Sequence, residues 1–180
     1  MATIAIAFGC ASDHSWLVPI LCPKRYKEMC DPLFNGFLEK VRILNLGFGT
    51  GALSGFLCSK LNSEYEQRID LESVEYSKPM CDVILRNSKT LEFPRFPNET
   101  IHECSAERYL EEELERLSSK GYHRLNKQGF SCVFLDCYDG QGLIPKRCLE
   151  KSFIQNIYDC LEKTRGGILV CNCWSGNLKA

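Results

Sequence analysis

The sequence predicts an α/β fold, a doubly wound and mostly parallel sheet truncated after its fifth strand. Three observations predict it. The run Ile43-Leu44-Asn45-Leu46 is almost continuously apolar, as strands buried on both faces are. It feeds into Gly47-Phe48-Gly49-Thr50-Gly51, three glycines at alternate positions, and an amphipathic segment follows. From there strand-like runs alternate with helix-length segments, the pattern of βαβ units with right-handed crossovers.

Each element follows in chain order. Residues 2–9 and 16–21 have the β-branched and aromatic content of a short N-terminal hairpin or arm. Tyr26 to Leu38 reads as a helix with Met29, Leu33, Phe34 and Phe37 on one side, weakened by Asn35-Gly36. Residues 1–40 are thus an arm and helix packing on the sheet, and 41–180 form a Rossmann-like domain. Its first strand is 41–46 and its first helix runs from about 50 to 62. Arg68 to Glu75 alternates as a second strand, and Ser77-Lys78-Pro79 starts a helix reaching about Lys89, with Ser as cap and Pro in the first turn. A third strand covers Glu99 to Glu103. Ser105 begins a helix with Ala106, Leu110, Leu114 and Leu117 on one face and Gly121 beyond its end. Phe130 to Asp136 is the fourth strand, Leu149, Phe153, Ile157 and Leu161 mark the next helix, and Ile168 to Cys173 is the fifth strand.

Composition narrows the function. A chain of 180 residues, 44% hydrophobic, buries one full core. A net charge of -1 and a pI near 6.3 argue against a broad electrostatic grip on nucleic acid. The small cluster Lys24-Arg25-Tyr26-Lys27 reads as a solvated face. No apolar run approaches the roughly 20 residues of a bilayer span, and Met1 to Ala7 lacks the basic region and cleavage site of a secretory signal. Twelve cysteines contain no Cys-x-x-Cys. Cys58, Cys81, Cys132 and Cys160 fall at core-facing positions, where a thiol acts as a small apolar group. With His14, His102 and His123 scattered, no metal site is expected, and the thiols read as reduced in a cytoplasmic protein.

In such a sheet, ligands bind beyond the carboxyl ends of the strands, where strand order reverses. The glycine turn falls there, where missing Cβ atoms let the backbone turn sharply and approach a ligand, and the helix it opens points free N–H groups back at the same place. Glu75 follows Gly51 by about 24 residues, the spacing of a carboxylate that accepts both ribose hydroxyls. The plainer alternatives are a tight turn and a solvated loop acid. Asp136 and Asp139 lie three apart in Leu135-Asp136-Cys137-Tyr138-Asp139-Gly140-Gln141-Gly142. Two carboxylates so placed would bind a cationic amine and draw off its proton, and close like charges would raise the pKa of one of them. Alternatively Asp136 caps the loop and Asp139 serves the Gly140 turn. Gly47, Gly49 and Ala52 also fit the permissive dinucleotide pattern, but a nicotinamide fold would ordinarily add a sixth strand and a substrate domain.

These segments carry a resemblance. Leu-Gly-Phe-Gly-Thr-Gly, Val74-Glu75, the Leu135 to Pro145 loop followed by Phe153, the strand Gly166 to Asn172, and Tyr26-Lys27-Glu28-Met29 with Pro32-Leu33 all match in order. Over roughly residues 24–174 the chain resembles the class I S-adenosylmethionine-dependent methyltransferase superfamily, and within it the spermidine synthase-like branch. Through Gly-Phe-Gly-Thr-Gly it is also similar to the methyltransferase domain of a bifunctional tRNA wobble-uridine enzyme. The resemblance implies S-adenosylmethionine, or its decarboxylated form, contacted by Gly47, Phe48, Gly49, Gly51, Glu75, Tyr76, Ser105, Ala106 and Asp136. It implies that Asp136 orients or deprotonates an amine, Asp139 holds its cationic form and Tyr138 packs over it. The acceptor would be a small-molecule or protein amine. Methyl transfer is the leading activity and aminopropyl transfer, the chemistry of polyamine synthesis, the second. A non-catalytic fold that binds partners is the third, because Ser105 stands where the family places an adenine-contacting Asp and would serve equally as a helix cap. Finally, Ile168 to Cys173 reads as an uncovered apolar edge, which predicts a homodimer through it or further chain that covers it.

Overall fold

The computed structural model describes residues 3–8, 41–60, 66–86, 96–119, 128–163 and 167–173. The segments expected at 16–21 and Tyr26 to Leu38 lie outside them. The elements in order are β1 (Thr3–Phe8), β2 (Val41–Leu46), α1 (Ala52–Lys60), β3 (Ile69–Glu75), α2 (Lys78–Arg86), β4 (Glu99–Glu103), α3 (Ala106–Ser118), β5 (Cys132–Leu135), α4 (Lys151–Cys160) and β6 (Ile168–Cys173). One sheet runs in the order β1-β6-β5-β2-β3-β4, and every pairing is parallel. The five strands expected from residue 41 onward are all present. Among the described residues no helix is long and apolar enough to cross a membrane.

The period of two along each strand divides the core into two layers. Leu44, Leu46, Val133, Leu135 and Leu169 face one side, where α3 and α4 supply Tyr109, Leu110, Phe153 and Ile157. Ile43, Ile69, Leu71, Cys132, Phe134 and Val170 face the other, packed by Leu53 and Leu57 of α1 and by Phe96. Both faces are covered, which is why β2, β5 and β6 read as mostly apolar runs, whereas β3 nearer the sheet edge alternates. Leu44 is completely buried, so Leu44→Ala would cost about 2–5 kcal/mol. Cys81, Cys132 and Cys160 are buried as expected, and Cys58 is half-buried.

Two findings correct the sequence reading. First, the edge of β6 is not open. Thr3–Phe8 lies parallel beside it, Thr3 opposite Ile168 and Phe8 opposite Cys173. The backbone groups of β6 find their partners within the chain, which removes the ground for a dimer through that edge. The same strand fills a sixth position in the sheet, so strand number does not separate this chain from a nicotinamide fold. Second, the helix expected to begin near Leu149 begins at Lys151, after a 3-10 turn over Lys146–Leu149. The tighter turn shifts the inward position by one residue: Cys148 is buried and Leu149 is exposed.

Several polar side chains inside the layers are partnered. Arg42 reaches Glu72 at 2.5 Å, Glu113 at 2.8 Å and the Gln128 carbonyl at 2.6 Å, and its guanidinium lies 4.2 Å from the Phe130 ring centroid. Tyr109 donates its hydroxyl proton to Glu72. Burial acts to raise the Glu72 carboxyl, but His102, Arg42 and Tyr109 together outweigh it and hold it at about 2. On the opposite face, Ser54 and Ser73 both donate to Glu99 Oε1, at 2.7 and 2.6 Å.

Candidate functional site

Strand order reverses between β5 and β2, and the site opens at the carboxyl ends of β2, β3 and β5. The glycine turn is built by the strand ends around it. The amides of Gly47 and Phe48 both donate to Val74 O at 3.0 Å, and Asp136 N donates to Leu46 O at 2.8 Å. Gly47 has φ +101, and a Cβ there would lie 2.3 Å from the Asp136 carbonyl oxygen, so no other residue fits. Gly49, at φ +55, is different: a Cβ there would meet nothing within 4 Å, so the space before it is open. The Phe48 ring is buried and packs beneath Gly51, so Phe48 supports the turn from below.

Glu75 closes the turn from the β3 side. Its Oε2 accepts from Gly49 N at 3.0 Å and its Oε1 from Ser77 N at 2.8 Å. Each oxygen keeps a second lone pair for a ligand hydroxyl. Next to it stand exposed Tyr76 and the start of α3. Ser105 Oγ accepts from Arg108 N at 3.2 Å, which makes Ser105 the helix cap. The first-turn amides of Ala106 and Glu107 have no carbonyl partner within the helix.

The loop after β5 supplies the remaining wall. Asp136 Oδ1 accepts from Asn172 Nδ2 at 2.8 Å, and Tyr138 donates its hydroxyl proton to the Asn172 carbonyl at 2.6 Å. Asn172, near the end of β6, therefore holds two of the three residues expected to act on an acceptor. Asp139 is exposed, and its Oδ1 accepts from the amides of Gln141 and Leu143 at 2.8 and 2.9 Å. One of its oxygens is thus committed to the loop's own turn.

Gly47, Phe48, Gly49, Glu75, Tyr76, Ser105, Ala106, Asp136, Tyr138 and Asp139 line one cavity of about 570 Å³, within the usual range for small-molecule sites. Gly51 shapes the turn without lining the cavity. The same walls include Glu107, Cys137, Arg147 and Cys148, which the sequence reading missed. Leu135 to Pro145 marks the loop in the sequence, yet nothing in its spacing signals that Arg147 and Cys148 fold back onto it. Among the described residues no group of three or more His, Cys, Asp or Glu is placed to hold a metal ion.

Neither a family model nor a curated protein sequence matches the chain. Among solved structures, it is similar to human methyltransferase-like protein 13, in complex with S-adenosylhomocysteine, at 16% identity and a TM-score of 0.53. That match covers 72% of this chain and 53% of the human chain, so this chain spans about half the length of that protein. An rRNA methylase from Streptococcus thermophilus matches at 14% identity and a TM-score of 0.40, over 79% of this chain and 68% of that one. At these identities the likeness concerns architecture. The chain has the Rossmann-like α/β fold found in class I methyltransferases.

Proposed function

We propose that the crevice binds S-adenosylmethionine and that the protein is a methyltransferase acting on an amine. One observation carries the reading: Glu75, the glycine turn, the start of α3 and Asp136 line a single cavity at the point where strand order reverses. The residues suit an adenosine. The open space before Gly49 admits a ligand close to the backbone, and the free lone pairs of Glu75 accept two ribose hydroxyls. Ala106 and Glu107, whose first-turn amides would donate to a base, line the same cavity, as does Tyr76, which would offer it a ring. The human protein similar in fold was solved with S-adenosylhomocysteine, which supports the same ligand here.

When bound, the sulfonium supplies an electrophilic carbon, so the protein's task is alignment and proton removal. Asp136 accepts the acceptor's proton, in an orientation held by Asn172 Nδ2. Tyr138 contributes its ring, since its hydroxyl is bound to Asn172 O. Asp139 keeps one oxygen for the cationic form of the amine.

Aminopropyl transfer within the spermidine synthase-like branch is the second reading. Glu75, Glu107, Asp136 and Asp139 give the cavity four carboxylates against Arg147, a balance that suits a donor without its own carboxylate. Calorimetric titration with S-adenosylmethionine, its decarboxylated form, S-adenosylhomocysteine, methylthioadenosine and NAD tests both. Methyl transfer requires the carboxylated donor to bind tighter, aminopropyl transfer the decarboxylated one. Binding of NAD alone, or of none of the five, refutes the proposal.

A further inference from the structure

A buried polar cluster lies one layer below the crevice, on the α1 face of the sheet. Asn45, Ser54, Ser73 and Glu99 are all buried, and none of them lines the cavity. Side chains two apart on a strand share a face. Asn45 on β2 therefore stands two residues before Gly47, and Ser73 on β3 two residues before Glu75. The apolar layer of Ile43 and Leu71 begins one step lower on the same face. Glu99 opens β4 opposite Leu71. Ser54 belongs to the first turn of α1, three residues after Gly51.

Glu99 Oε1 gathers this cluster. It accepts from Ser54 Oγ at 2.7 Å and from Ser73 Oγ at 2.6 Å, and Ser73 Oγ accepts in turn from Asn45 Nδ2 at 3.4 Å. One carboxylate oxygen thus joins α1, which follows the glycine turn, to β3, which ends in Glu75. Above it the turn and β3 meet again, where Gly49 N donates to Glu75 Oε2 at 3.0 Å. Apolar side chains would fill this layer without the cost of burying a carboxyl group, so packing alone does not account for an acid there.

We infer that Glu99 is a positioning residue for the crevice: through Ser54 and Ser73 it sets the gap between the glycine turn and Glu75, and with it the affinity for an adenosine. The second half of this rests on the adenosine reading of the crevice. A ligand held by both the turn and Glu75 binds best when that gap is fixed beforehand, because freedom left in the site is lost on binding. Without the tie, α1 and the end of the turn it carries shift against β3, while Leu53 and Leu57 still anchor the helix in the apolar layer. Glu99 acts through the turn and Glu75 and does not itself reach the cavity.

The full chain is compared with Ser54→Ala, Glu99→Ala and Glu99→Gln by amide hydrogen exchange and by titration with S-adenosylhomocysteine. Ile69→Val, which thins the same apolar layer away from the cluster, is the control for lost stability. Exchange at the Gly49 amide is expected to quicken at least about tenfold in Ser54→Ala and Glu99→Ala, as a local opening does. Ile69→Val should leave it at the wild-type rate, and Glu99→Gln, which keeps an oxygen acceptor, should stay close to it. Ser54→Ala removes a single hydroxyl, so it decides the matter even if Glu99→Ala does not fold. A fall in stability with Gly49 exchange unchanged would overturn the inference whatever the crevice binds. Affinity should fall about tenfold in the variants whose Gly49 exchange quickens. Quickened exchange with affinity intact would overturn the link to binding. If the wild type does not bind S-adenosylhomocysteine, the adenosine reading itself is refuted and that link with it, and exchange at Gly49 then decides the tie alone.

Discussion

Asn172 Nδ2 lies 2.8 Å from Asp136 Oδ1, so the end of β6 sets the orientation of the carboxylate at the end of β5. The Asn172 carbonyl also fixes Tyr138. Asn172→Ala should therefore lower turnover about 10- to 100-fold, the usual scale for a displaced reacting group. Turnover is read as S-adenosylhomocysteine released in the presence of an acceptor-containing extract, and affinity for that nucleoside should change by less than a few-fold. Loss of affinity with turnover intact would remove Asn172 from the positioning of Asp136.

Glu75 has two jobs, and substitution separates them. Glu75→Ala takes two charge-assisted acceptors from a ribose and should weaken S-adenosylhomocysteine binding about 10- to 100-fold. It also frees the amides of Gly49 and Ser77, which lowers thermal stability. Glu75→Gln keeps an acceptor and should fall between. Unaltered affinity in Glu75→Ala would mean that the ligand lies elsewhere.

The glycines of the turn are not equivalent. Gly47→Ala drives a methyl group into the Asp136 backbone at a backbone angle that L residues rarely adopt, and should cost about 3 kcal/mol or more. Gly49→Ala meets no atom and should cost only about 1–2 kcal/mol, the strain of its left-handed backbone. Urea denaturation of the two variants measures the difference, and equal costs would contradict the packing at Gly47.

The half-buried Glu72 makes stability depend on acid. Its folded pKa, about 2, lies below the ordinary 4.5 of a glutamate. The carboxylate therefore contributes stability that is complete above pH 4.5 and is lost as pH falls toward 2. The effect is on the order of 3 kcal/mol. Urea midpoints measured down to pH 3 should fall steeply in the wild type and less steeply in Glu72→Gln. Parallel slopes would show that Glu72 is not held by Arg42, His102 and Tyr109.

Removing residues 1–9 should uncover the apolar edge of β6. Light scattering should then show self-association that the full chain does not have. A monomeric truncated chain would mean that β1 does not guard that edge.

Much of this arrangement was legible in the sequence because its causes are local. A double-sided apolar strand, alternate glycines and a helix start are all decided within Ile43 to Leu53, and Glu75 and Asp136 each stand at the end of a strand-like run. What escaped depends on distant pairings. The alternation of Thr3 to Phe8 suits a hairpin as well as a sheet edge, and only the presence of β6 decides between them. Asn172 reads as an ordinary strand residue until the sheet sets it beside Asp136. The change from a period of 3.6 to about three in the 3-10 turn moved Cys148 rather than Leu149 inward.

The place of β1 also has a kinetic consequence. Thr3–Phe8 precedes the other described strands in the chain, yet its neighbour Ile168–Cys173 follows them all. β1 can therefore pair there only after the four strands between them have been synthesised. Docking it closes the longest loop between paired strands among the described residues, and that step is expected to finish folding last and set its rate.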